Sequence, residues 1–183
     1  MGAKLFYLIG ASGAGKDSVL EAARQTLKKR CNTVIIQRYI TRPPGDGELH
    51  IPMSFKLFAQ QLSAGEFCLH WEANGNCYGI GLELDNLLAR GVNVLVNGSR
   101  AYLAQAQKRY PDLVPVLVQV DESHLRERLQ QRARESAEQI EQRLVRHREL
   151  VDTLPADIQI VDNSGELAHS CEQLCAIVGR VES

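Results

Sequence analysis

Nine consecutive residues concentrate the chemistry of this chain: Gly10-Ala11-Ser12-Gly13-Ala14-Gly15-Lys16-Asp17-Ser18. Glycine, having no Cβ, reaches backbone angles closed to other residues, so successive N–H groups of such a turn converge on an anion. A helix starting at the end of the turn adds the positive end of its dipole. Lys16 contributes a mobile point charge of the kind that meets β- and γ-phosphates. The apolar run Leu5-Phe6-Tyr7-Leu8-Ile9 ahead of the turn and the helical spacing of Val19, Leu20, Ala22, Ala23 and Leu27 after it give strand, loop and helix in the order this chemistry needs. Gly10, Ala11, Ser12, Gly13, Ala14, Gly15 and Lys16 therefore read as a cradle for the phosphates of ATP, with Asp17 and Ser18 at its end. Asp17 occupies the position where a Ser or Thr hydroxyl ordinarily ligates Mg²⁺. Two readings stay open: the hydroxyl is displaced to Ser18, or the Asp17 carboxylate is itself the hard oxygen ligand.

Further candidates lie where strands end. Thr41-Arg42-Pro43-Pro44-Gly45-Asp46-Gly47-Glu48 is a proline- and glycine-rich loop, and such loops collect binding residues. Arg42 is its candidate, with an ordinary solvated arginine as the alternative on spacing alone. Asn97-Gly98-Ser99-Arg100 leaves another strand at the edge where parallel sheets bind ligands. Arg126, Arg128, Arg132, Arg134, Arg143, Arg146 and Arg148 are interleaved with Glu127, Glu135, Glu138, Glu141 and Glu149. Most of these read as solvated helical faces laced by ion pairs. Phosphoryl transfer needs arginines over the transferring group, so two or three are functional candidates. His50, His70, His124, His147 and His169 show no metal-ligand spacing and read as structural or exposed.

The elements that must hold these residues alternate. A strand is expected over residues 33–40, a short amphipathic helix from the N-cap Ser54 with Phe55, Phe58 and Leu62 on one face, and a hairpin turning at Asn74-Gly75. Helix 82–90, strand 92–96, helix 100–110 and strand 113–120 follow, then helix 125–134. A helix opens at the capping box Ser136-Ala137-Glu138-Gln139. Strand 158–161 and a final helix to about Val181 close the chain. Alternating strands and helices imply parallel pairing, so the fold class is α/β, and residues 41–80 read as an insertion of mixed structure. At 183 residues the chain suits one domain. Its 21 basic and 22 acidic residues nearly cancel, so nothing global points to nucleic acid or a membrane. Cys31, Cys68, Cys77, Cys171 and Cys175 are an odd set without zinc-ligand pairing, Met1 opens no signal segment, and no run is long enough to span a bilayer. The expectation is a reduced, cytoplasmic protein whose Cys171 and Cys175 pack on a helix.

The loop Gly10 to Lys16, Thr41-Arg42-Pro43-Pro44 with Gly47-Glu48, Gly65-Glu66-Phe67, Gly75-Asn76-Cys77-Tyr78-Gly79 and the arginines Arg128, Arg132 and Arg143 together resemble a guanylate-kinase-like P-loop kinase. The resemblance covers nearly the whole chain. It implies a P-loop kinase fold: a five-stranded parallel core over residues 1–40 and 81–183, a small acceptor-binding insertion, and a helical lid over about 126–148. It also implies that Arg42 and Tyr78 hold acceptor phosphate while Arg132 and Arg143 close over ATP. The sequence departs from guanylate kinases at Gly45, Ser54, Leu69, Asn97 and Ser99, where that family has arginine, tyrosine, glutamate and two aspartates. Leu69 cannot accept hydrogen bonds from a purine edge, so GMP is not the expected acceptor. Gly-Lys-Asp-Ser together with Val96-Asn97-Gly98-Ser99-Arg100 resembles the branch of the family that phosphorylates ribose 1,5-bisphosphate in phosphonate catabolism. That implies transfer of the γ-phosphoryl of ATP to the 1-phosphate, giving 5-phosphoribosyl 1-diphosphate. Asn97, Ser99 and Arg100 are then acceptor-binding candidates beside Arg42 and Tyr78, and Lys16, Arg132 and Arg143 are the catalytic ones. Asn97 has a plainer alternative as the cap of the following helix.

Overall fold

The computed structural model describes residues 2–45, 49–131, 136–151 and 158–181, with backbone alone at 146, 147, 149–151 and 181. Five strands form one parallel sheet: β1 (Leu5–Ile9), β2 (Thr33–Ile35), β7 (Asn93–Asn97), β8 (Val114–Gln119) and β9 (Gln159–Asp162), in the order β2-β7-β1-β8-β9. Central β1 is buried at every position, and its side chains alternate between the two faces of the sheet as the strand period demands. Phe6 and Leu8 pack with Val19, Leu20, Ala23 and Leu27 of helix α1 (Lys16–Arg30). Leu5, Tyr7 and Ile9 face the opposite way.

What lies on that second face is a smaller sheet. β3 (Arg38–Ile40), β4 (His50–Pro52), β5 (Phe67–Ala73) and β6 (Asn76–Gly81) run in the order β4-β3-β6-β5. Their Ile40, Leu69, Trp71, Tyr78 and Ile80 share one apolar cluster with Tyr7, Val94 and Val96 of the parallel sheet. Helix α2 (Phe55–Ser63) connects β4 to β5. The hairpin forms where expected, Asn74 and Gly75 supplying φ of 51° and 72° as a two-residue primed turn requires.

Three expectations need correction. Residues 33–40 are not one strand: β2 pairs with β7 in the large sheet, while β3 pairs with β4 and β6 in the small one. The break falls after Ile36, whose N–H makes a last bond of 3.1 Å to the Leu95 carbonyl. Propensity reports that such residues favour extended backbone and says nothing of which sheet they join. The expected helix 100–110 begins as a 3₁₀ turn, Arg100–Tyr102, before α4 (Leu103–Arg109). In α2, Ser54 does cap the Leu57 N–H at 3.2 Å, but only Phe58 of the proposed face is buried, Phe55 and Leu62 being exposed. Helix α3 (Glu83–Ala89) precedes β7, and the chain closes with α5 (Glu122–Gln131), α6 (Ala137–Val151) and α7 (Leu167–Val181). The capping box forms in both directions, Ser136 N–H to Gln139 Oε1 at 2.9 Å and Gln139 N–H to Ser136 Oγ at 3.3 Å. Cys171 and Cys175 sit half-buried against the core.

Candidate active site

All the parallel strands end toward one edge, where the loops that follow β1, β7 and β9 meet. The loop after β1 wraps the start of α1 and opens on a cavity of about 470 Å³. Gly10, Ser12, Gly13, Gly15, Lys16, Asp17 and Ser18 line one side of it. Ala11 and Ala14 are turned away: Ala14 is fully buried, and its N–H closes the turn on the Ala11 carbonyl at 3.1 Å. Gly15 has to be glycine twice over, because its φ is +85° and a Cβ would lie 2.4 Å from Asn163 Nδ2. Lys16 folds across the loop, its Nζ donating to the carbonyls of Gly10 at 2.9 Å and Ala11 at 3.0 Å.

The loop is braced from behind. Asn163, following β9 and nearly fully buried, donates Nδ2 to the Ala14 carbonyl at 2.7 Å and accepts the Ser170 hydroxyl on Oδ1 at 2.9 Å. Arg128 on α5 donates to the same Ala14 carbonyl at 3.4 Å and to the Asn163 carbonyl at 2.7 Å. Arg143 on α6 reaches the loop, donating to Ser12 Oγ at 2.7 Å. Arg132 lies outside the described residues, as do residues 46–48 of the proline-rich loop. Arg126 pairs with Glu141 and Arg148 with Glu122 at 2.8 Å, both exposed, so these two arginines are the solvated helical face the sequence suggested.

Arg42, Tyr78, Asn97, Ser99 and Arg100 line the same cavity. Tyr78 is held flat against Trp71, rings 5.5 Å apart and 4° from parallel. Arg42 donates to the Pro43 carbonyl at 3.2 Å. Gly98 lets β7 pass directly over the Tyr7 ring, where a Cβ would sit 2.1 Å from a ring carbon, and the Tyr7 hydroxyl pins Ser99 by accepting its N–H at 3.0 Å. Burial raises the Tyr7 phenol well above its usual range, so it stays protonated.

Asn97 does not cap the turn after it. Its Nδ2 donates to Asp17 Oδ1 at 2.7 Å, while its own Oδ1 is buried without a hydrogen-bond partner among the described residues. Asp17 Oδ1 also faces Arg38 at 3.5 Å. The Asp17 carboxylate and the Ser18 hydroxyl at the phosphate end of the loop line the cavity and fit a Mg²⁺ ion that takes most of its ligands from nucleotide and water. Among the described residues no group of three or more His, Cys, Asp or Glu is arranged to hold a metal ion.

Arg38, Trp71 and Ala73 of the cavity and the brace Asn163 escaped the sequence. Arg38 sits inside a run that reads only as strand, and Trp71 alternates into the small sheet, so neither leaves a local signal. Asn163 had one, since it ends a parallel strand just as Asn97 does.

The family model for guanylate kinase matches residues 2–180. The chain belongs to the guanylate kinase family. It is 47% identical over 176 residues to the ribose 1,5-bisphosphate phosphokinase PhnN of Psychromonas ingrahamii, covering 96% of this chain and 89% of that one. The protein of the same name from Yersinia pestis is 46% identical, with 94% and 89% covered, and that from Pseudomonas paraeruginosa is 46% identical, with 98% and 97% covered. Among solved structures, guanylate kinase from Anaplasma phagocytophilum superposes with a TM-score of 0.69 over 99% of this chain and 86% of its own, at 19% identity. That likeness bears on the fold alone, which is the P-loop kinase fold. Against the departures from guanylate kinases, Leu69 is fully buried in the apolar cluster beneath the small sheet, and Ser54 serves as a helix cap. The Leu69 side chain therefore presents no hydrogen-bonding group to a purine.

Proposed function

We propose that this chain is an ATP- and Mg²⁺-dependent kinase that transfers the γ-phosphoryl group to the 1-phosphate of ribose 1,5-bisphosphate, giving 5-phosphoribosyl 1-diphosphate and ADP, as in phosphonate catabolism. One observation carries the reading beyond the names of the relatives. The cavity that the phosphate loop lines also presents Arg38, Arg42 and Arg100 with Tyr78, while the base-reading position holds a buried leucine. Cations suit an acceptor bearing two phosphates and no base.

In the reaction an acceptor phosphate oxygen bonds to the γ-phosphorus as the bond from that phosphorus to the β,γ-bridging oxygen breaks, and ADP leaves with the electron pair. The attacking oxygen is already anionic, so no general base is needed. Lys16 exchanges its two carbonyl partners for phosphate oxygens and neutralises charge spreading over the γ-phosphoryl. The loop N–H groups hold the β-phosphate, with Asn163 and Arg128 fixing the carbonyl side so that the amides stay aimed. Arg143, anchored at Ser12, brings a guanidinium from the lid to the same phosphates. Arg42, Tyr78, Asn97, Ser99 and Arg100 position the acceptor. Mg²⁺, when bound near Asp17 and Ser18, offsets charge on the β- and γ-oxygens.

The test is ADP formation with Mg²⁺ and ATP from ribose 1,5-bisphosphate or from a panel of nucleoside monophosphates, with the product diphosphate identified by phosphorus NMR. Turnover confined to a nucleotide would replace the reading with an altered nucleoside monophosphate kinase, and none with any acceptor would favour a non-catalytic binding module. Lys16→Ala should lower turnover on the order of a hundredfold or more with little change in melting temperature. Retention of more than about a tenth of wild-type turnover would remove Lys16 from the mechanism.

A further inference from the structure

Asp17 stands where a hydroxyl is ordinary and Asn97 where guanylate kinases carry an aspartate, two departures eighty residues apart in the chain. In the fold they meet in one hydrogen bond, Asn97 Nδ2 to Asp17 Oδ1 at 2.7 Å. We infer that Asn97 is a positioning residue of the metal site: it holds the Asp17 carboxylate at the end of the phosphate loop, turned to receive the Mg²⁺ that accompanies the nucleotide. This rests on the ATP- and Mg²⁺-dependent part of the functional reading. It does not depend on which acceptor is used, and it is separate from the acceptor contact given to Asn97.

The two residues differ in how firmly the chain fixes them. Asp17 is the second residue of α1, directly after Lys16, where the helix dipole favours an acid. Its side chain is 36% exposed and lines the cavity, so nothing in its packing selects one orientation. Asn97 is the last residue of β7, in register with Leu8 of the central strand, and is only 4% exposed. Gly98 after it donates its N–H to the Leu8 carbonyl at 2.7 Å and runs against the Tyr7 ring. A donor locked into the sheet therefore sets the direction of an acceptor on the loop, which is how an outer residue orients a metal ligand.

The amide is committed to that task at its own expense. With Nδ2 on Asp17, Asn97 Oδ1 is buried without a hydrogen-bond partner among the described residues, an arrangement that stability alone does not favour. The reversed amide would set its oxygen against a carboxylate. Both donors that reach the Asp17 side chain, Asn97 at 2.7 Å and Arg38 at 3.5 Å, come to Oδ1. Among the described residues none donates to Oδ2, the oxygen that remains for the ion or one of its waters. Mg²⁺ is satisfied by one or two carboxylates completed by phosphate and water, so one oriented carboxylate beside Ser18 suffices. A neutral amide orients that carboxylate and brings no charge to oppose the ion. An aspartate at 97 would instead set a second acid against Asp17, and the two would share a proton.

Mn²⁺ is the probe, since it takes the same hard oxygen ligands as Mg²⁺ and is read directly by electron paramagnetic resonance. Its dissociation constant from the complex of the full chain with a non-hydrolysable ATP analogue is compared in wild type, Asn97→Ala, Asp17→Asn and the double variant. Asn97→Ala should raise that constant on the order of tenfold, while affinity for the analogue without metal changes less than about twofold. The double variant should bind Mn²⁺ no more weakly than Asp17→Asn alone, because Asn97 acts only through Asp17. Additive effects, an unchanged constant in Asn97→Ala, or an equal loss of metal-free analogue affinity would each overturn the inference. If Asn97→Ala does not fold by thermal melting, Asn97→Ser, which removes the amide and keeps a polar side chain, takes its place in the cycle with the same outcomes. Wild-type Mn²⁺ affinity in Asp17→Asn would give the ligand role to Ser18, overturning the inference and leaving the kinase reading in place. Wild-type protein whose affinity for the analogue is indifferent to metal brings down both.

Discussion

Asn97 shows how one side chain is committed by its neighbours. It lies at the end of β7, is nearly fully buried, and gives its amide hydrogen to Asp17 Oδ1 at 2.7 Å. Asn97→Asp would place two carboxylates at hydrogen-bond distance, where both cannot stay ionised. The variant should lose about 1–3 kcal/mol of stability at neutral pH, with the loss shrinking toward pH ~5 as one carboxyl takes up a proton. Chemical denaturation at the two pH values checks this, and a neutral or stabilising effect would restore the helix-cap reading. Gly98 beside it is constrained by space. A Cβ there would meet three Tyr7 ring carbons at 2.1–2.6 Å, and Tyr7 is fully buried with its hydroxyl tied to Ser99. Gly98→Ala should therefore cost roughly 1–3 kcal/mol, the range for overpacking a core, read as a lowered urea midpoint at unchanged slope. The loop residues Gly10 to Ser18 were legible because their function is a local backbone shape. Arg38 was not, because its place in the cavity wall depends on a ring forty residues away and on the sheet that brings the two together.

At the scale of elements, the phosphate loop is a turn held between α1 and the end of β9. Asn163 supplies the connection, joining the Ala14 carbonyl to Ser170 on α7 through one side chain. Asn163→Ala should release the Ala14 carbonyl, cost about 1–3 kcal/mol and raise the KM for ATP several-fold more than that for the acceptor. Asn163→Asp should not rescue it, since a carboxylate cannot donate to a carbonyl. Equal changes in the two KM values would make Asn163 a general core residue and no brace of the loop. Element order, the hairpin turn and the capping box could be read from the chain because each depends on residues within a few positions of one another. The split between β2 and β3 could not. Ile36 still bonds to Leu95 of the parallel sheet, whereas Ile40 pairs with Tyr78 of the small one, and partners that far along the chain leave no periodicity in residues 33–40. For the same reason the exposed Phe55 and Leu62 looked like a buried face: spacing defines a face without saying what covers it.

Over the whole molecule, two sheets share one apolar cluster, and the cavity opens where the strand ends of the large sheet meet the small one. The nearly balanced 21 basic and 22 acidic residues conceal a strongly cationic wall, so charge here had to be read locally. The same packing sets how stability responds to alkali. Burial pushes the Cys68 thiol, which donates to the Ile80 and Gly81 carbonyls at 3.4 and 3.2 Å, up to about 11 from an ordinary value of 9.0. Cys77, Cys171 and Cys175 are raised for the same first cause. A raised thiol keeps its proton in the folded chain after the unfolded chain has lost it. Ionisation of the unfolded state therefore draws the equilibrium toward unfolding as pH rises. The stabilisation is fully present below the unfolded value and is lost as pH climbs from about 9 through about 11. Under reducing conditions the melting temperature should fall steadily over that window, and Cys68→Ala, though less stable at neutral pH, should show a shallower fall. A fall of equal steepness in wild type and Cys68→Ala would assign the alkaline sensitivity to the other buried groups, with the Cys68 thiol contributing nothing measurable.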